Sequence, residues 1–106
     1  MPIIQVNEQS LFDDVVNRKG LVLLTCIDVK HKQWAVLQAA IHELTLLYGF
    51  AMRFCLLNTV NNSLLQKKLE IETIPAFFLM RDGHIIDERD GFMAQNELAS
   101  FLEDHL

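Results

Sequence analysis

Two short runs, Leu21–Ile27 and Met52–Asn58, are almost wholly apolar, and a segment of helical period lies between them. This alternation constrains the fold more than anything else in the chain. Apolar runs of strand length suit strands buried on both faces, the habit of parallel sheets. The segment between them sets Trp34, Leu37, Ile41, Leu44 and Tyr48 on one stripe, with Gln38, His42 and Glu43 off it. That is the pattern of a helix packed on a sheet by one face. A strand–helix–strand unit of this kind closes right-handed and makes its strands parallel neighbours.

The rest of the chain extends the pattern. Ile3–Val6 reads as a short strand, and Asn7 as the cap of a helix carrying Leu11, Phe12, Val15 and Val16. Gly20 is expected to end that helix and Gly49 the long one, since glycine accepts the left-handed cap geometry. Asn61 or Asn62 is placed to cap a short helix running through Leu69. Ala76–Met80 and His84–Arg89 flank Asp82-Gly83, a dipeptide favoured in tight hairpin turns. A last helix carries Leu98, Phe101 and Leu102. It should begin near Ala94, where alanine supplies no cap, and fraying is expected there, with Asn96 shifting the start. The predicted fold class is α/β, ordered β-α-β-α-β-α-β-β-α, a mixed central sheet with helices on both faces. At 106 residues it is read as a single domain, 1–106.

Several functions are disfavoured by composition. The net charge is −5, and the bases fall in scattered pairs, Arg18-Lys19, Lys30/Lys32 and Lys67-Lys68. Nucleic-acid binding is not expected, because phosphate neutralisation needs a basic stripe. No run is long enough to span a bilayer, and the lead Met1-Pro2-Ile3-Ile4 is not of secretory type. A cytoplasmic location, with no membrane partner, is the expectation. Cys26 and Cys55 sit inside apolar strands and read as buried, reduced thiols, with a redox-sensing pair as the sharper alternative. His31, His42, His84 and His105 lack metal-ligand spacing, so neither a metal nor a cofactor is expected. Asp87, Glu88 and Asp90 cluster on an expected edge strand, where charge discourages edge pairing.

The length, element order and five local features resemble the thioredoxin family. Leu21–Cys26 is similar to the strand entering its active-site helix. Ile74-Pro75 resembles its cis-proline pair, and Asp82-Gly83 its terminal hairpin turn. Gly91 resembles the glycine beside its groove, and Glu97–Leu106 its closing helix. The resemblance implies a thioredoxin-like fold. The family's Cys-Gly-Pro-Cys slot falls on Lys30-His31-Lys32-Gln33, or one residue later on His31-Lys32-Gln33-Trp34, and contains no cysteine in either register. Its buried acid corresponds to Leu24. A dithiol mechanism needs an attacking and a resolving thiol at that helix start, so no catalytic residue and no oxidoreductase activity are expected. Redox-inactive members exist, including the hydrogenase-maturation chaperone type, for which no specific motif stands here.

The resemblance also implies where a partner would bind. The expected groove is formed by Lys30, His31, Lys32, Gln33 and Trp34, by Thr73, Ile74 and Pro75, and by Gly91 and Phe92. In the family the residue before the proline offers its backbone to an extended peptide, which binds like an added strand. The leading expectation is a non-catalytic module binding a protein or an extended peptide segment, as an adaptor, assembly factor or chaperone-like unit. One alternative is a thiol or phosphate binder at the basic helix start, where free N–H groups favour anions. Another is a structural homodimer.

Overall fold

The computed structural model describes residues 3–106; the side chains of Phe12 and Asn61, like Met1 and Pro2, lie outside the described residues. Five strands form one sheet: β1 Ile4–Val6, β2 Leu21–Ile27, β3 Met52–Asn58, β4 Ala76–Arg81 and β5 His84–Asp90. Their order is β1-β3-β2-β4-β5. β1 and β2 both run parallel to β3, and β4 runs antiparallel to β2 and β5. The α-helices are α1 Trp34–Tyr48, α2 Ser63–Lys68 and α3 Gln95–Glu103. The chain is thus α/β with a mixed sheet.

Side chains alternate across the sheet, and each face builds its own core. Leu23 and Ile27 of β2, with Phe77 and Leu79 of β4, pack against Leu37, Ile41 and Leu44 of α1 and Leu98, Phe101 and Leu102 of α3. Val22, Leu24 and Cys26, with Ala76, Phe78 and Met80, meet Val15, Leu65 and Ile71 on the other face. β2 is buried on both sides because it lies at the centre of the sheet.

Several caps differ from the expectation. Asn7 caps as expected, its Oδ1 accepting from the Gln9 and Ser10 amides at 2.8 and 3.0 Å. The segment it starts is only a π-helical turn, Phe12–Val16, so Gly20 lies beyond it. Gly20 instead takes φ +87° at the entry to β2. Gly49 holds right-handed backbone, with its N–H bonded to Thr45. Asn62 precedes α2 without capping it, since its Nδ2 donates to the Asn58 carbonyl at 2.7 Å. α3 begins at Gln95, directly after Ala94, with no shift to Asn96. Alanine offers no acceptor, but the Glu97 carboxylate reaches back to the Ala94 amide at 3.2 Å, the half of a capping box that needs no hydroxyl.

The β4–β5 turn is clasped to the start of β2. Asp82 and Gly83 both have positive φ, as a two-residue hairpin turn requires. Asp82 accepts the Gly20 amide at 2.7 Å through Oδ1 and donates its own amide to the Gly20 carbonyl at 3.1 Å.

Candidate functional site

Register gathers the expected site residues at one end of the sheet. Ile27 pairs with Asn58, Cys26 with Ala76, and Ala76 with Asp90. The connections after β2, β3 and β5 and the one before β4 therefore emerge together. Lys30–Trp34, Thr73–Pro75 and Gly91–Phe92 all belong to these connections. The Ile74–Pro75 peptide is cis, and the Gly91 amide donates to the Pro75 carbonyl at 2.8 Å.

The loop entering α1 is closed on itself. Asp28 Oδ1 accepts the Lys30 amide at 2.8 Å, and the Asp28 carbonyl accepts the His31 amide at 2.8 Å. His31 Nδ1 accepts the Gln33 amide at 3.1 Å, and the His31 carbonyl accepts Trp34 at 3.0 Å. The amides of Lys30, His31, Gln33 and Trp34 are thus spent inside the loop, which removes them from any anion cradle. Lys30 and Lys32 point outward, exposed.

These residues share an end of the molecule but not one cavity. Trp34 is half-buried, packs on the core under α1, and lines a hollow of about 660 Å³ beside Ile3, Val29 and Leu56. Phe92 packs on the same core and borders a shallow surface on the other flank of α1, with Ala35, Ala39 and Gln95. Thr73 lines a hollow of about 320 Å³ on the opposite sheet face, with Glu70, Glu72, Glu88 and Asp90. Ile74 packs toward that second face. Its amide and carbonyl make no hydrogen bond among the described residues.

No thiol serves this end. Cys26 lies in β2 with its side chain fully buried, and burial pushes its thiol up to about 12. Cys55 is pushed up to about 11, again mainly by burial. Both are free. Cys55 pairs with Leu24 and Cys26 with Leu57. The strand spacings then put their Cα atoms about 8 Å apart, beyond disulfide range. Three acidic residues of β5 are also divided. Asp87 has His105 Nε2, past the end of α3, at 3.0 Å and Arg89 of its own strand at 2.7 Å. The His105 hydrogen bond, with help from the Glu88 amide and Arg89, holds its carboxyl below the usual range. Glu88 and Asp90 line the other face. Among the described residues no cluster of His, Cys, Asp or Glu is arranged for a metal, and no helix is long and apolar enough to cross a membrane.

The sequence reading missed Asn58 and placed Asn62 only as a helix cap. Asn58 Oδ1 accepts from Val60 at 3.3 Å and from Val29 at 3.5 Å, tying two loops of this end together. Asparagines spaced i, i+4 directly after a buried strand were the available signal. No protein-family model matches the chain, and no curated protein matches it either.

Proposed function

We propose that the chain is a thioredoxin-like domain without redox chemistry that binds protein, taking an extended segment of its partner at the loop-bearing end of the sheet. The fold part of this reading is supported by the strand order β1-β3-β2-β4-β5 with β4 antiparallel. It is also supported by a proline that enters β4 beside the β2–α1 connection. The observation that carries the binding part is the Ile74 backbone, which has no hydrogen-bond partner among the described residues. An extended strand satisfies such an open peptide group on docking. Trp34 and Phe92 lie at the same end of the sheet but pack on its other face.

Protein binding is favoured over anion binding by the self-closed 28–34 loop. It is favoured over catalysis by the lack of an activated nucleophile, since both thiols are held protonated. The test is capture from native lysate with the wild type, Ile74→Asp, Thr73→Asp and Leu106→Asp. Thr73 is exposed and guards against a folding defect at Ile74, and Leu106 lies at the far end of α3. Loss of the same partner from the first two variants but not the third supports the reading. A partner retained by all three overturns it.

A further inference from the structure

The outward face of α1 is apolar where a surface helix is ordinarily polar. Ala35, Val36, Ala39, His42, Glu43, Leu46 and Leu47 are all exposed, as is Phe50 two residues past the helix end. At 100° per residue those of α1 fill a single arc opposite the buried Leu37, Ile41 and Leu44. Only His42 and Glu43 in that arc are polar. Val36 is 63% exposed, Leu46 61%, Leu47 57% and Phe50 89%. Val36, Ala39, Glu43 and Leu46 follow the 3-4-3 spacing of a helix-pairing seam, and Phe50 continues it just past the helix end. A helix apolar on both faces is one that is covered on both.

We propose that this face is the interface of a homodimer, two copies of α1 packing antiparallel about a two-fold axis. Three observations select a second copy as the occupant. The face is self-complementary. With the axis near residue 41, Val36 of one copy meets Leu46 of the other, and small Ala39 meets the aliphatic stem of Glu43. The same register brings Lys32, ahead of α1 in one copy, and Phe50, past α1 in the other, to the same end of the seam. It also keeps the two Glu43 carboxylates apart, so a chain of net charge −5 brings almost none of its negative charge into the contact. The four large side chains expose on the order of 500 Å². With the alanines, His42 and Glu43, the face approaches the ~800 Å² per partner of a standard interface.

The experiment is sedimentation equilibrium on the full chain at up to roughly 200 μM, enough to populate a dimer of micromolar dissociation constant. Leu46→Glu and Leu64→Glu are compared with the wild type. Leu64 is also exposed, but on α2, across the sheet from α1. The wild type and Leu64→Glu are expected to sediment at about twice the 12.2 kDa chain mass. Leu46→Glu, folded by circular dichroism, is expected to weaken association at least about a hundredfold, because two carboxylates would be buried unpaired. A monomeric wild type overturns the proposal, including one whose α1 face instead takes up a different protein. So does a dimer that survives Leu46→Glu or is lost with Leu64→Glu.

Discussion

Replacing Gly83 by alanine is expected to destabilise the chain more than the same change at Gly20, for a single structural reason. Gly83 has φ +84° and Gly20 φ +87°, so both variants bear the left-handed backbone cost of about 1–2 kcal/mol. A Cβ on Gly20 meets nothing within 4 Å. A Cβ on Gly83 would fall inside contact distance of the Val16 carbonyl, a backbone group that cannot rotate away. Relieving that overlap means moving the hairpin off the π-helical turn, an overpacking cost of about 1–3 kcal/mol. The expected losses are about 1–2 kcal/mol for Gly20→Ala and about 2–5 kcal/mol for Gly83→Ala, against a total stability of about 5–15 kcal/mol. Urea unfolding followed by the fluorescence of Trp34, the single tryptophan, reads both. At about 1–3 kcal/mol/M for small proteins, the Gly83→Ala midpoint should lie lower by about 1 M or more. Equal midpoints for the two variants would refute the hairpin contact.

Other consequences are as direct. Iodoacetamide should leave Cys26 and Cys55 unmodified in the native chain and label both in urea, since burial holds the thiols protonated near about 12 and about 11; native labelling at neutral pH would show the strands open. Asp87→Asn should lower the urea midpoint near neutral pH. Because the folded carboxyl titrates below its ordinary 3.8, its contribution is complete above that value and is lost as pH falls through the lower folded one. The gap between wild type and variant should therefore close only in strong acid, and a gap independent of pH would contradict the ion-pair reading. Ala94→Ser should add the missing half of the α3 capping box and stabilise by about 1 kcal/mol, read as a raised urea midpoint.

The architecture was legible because it rests on periodicity. Leu21–Ile27 and Met52–Asn58 are strands with the bounds their apolar runs marked. The α1 stripe Leu37, Ile41 and Leu44 faces the core. Helix ends were read less well, because caps depend on competing hydrogen bonds. Asn62 has the right chemistry to cap α2, yet its amide is drawn to the Asn58 carbonyl. Ala94 lacks cap chemistry, yet α3 begins there because Glu97 supplies it. At the candidate site, strand register was enough to bring Lys30–Trp34, Thr73–Pro75 and Gly91–Phe92 to one end. Their partition among separate hollows was not legible, since it follows from which face each side chain takes after its strand ends. The outer face of α1 was visible as residues but not as exposure. Leu46 and Leu47 fall off the stripe that faces the core, and their exposure shows only once the helix is laid on the sheet.

A partner strand docking on the Ile74 peptide group, as proposed, would shield its amide from solvent. Hydrogen exchange at the Ile74 amide, measured with and without the captured partner, reads this. Exchange there is expected to slow at least about tenfold on binding, as a new backbone hydrogen bond demands. Unchanged exchange at Ile74, with protection appearing elsewhere on the surface, would contradict it.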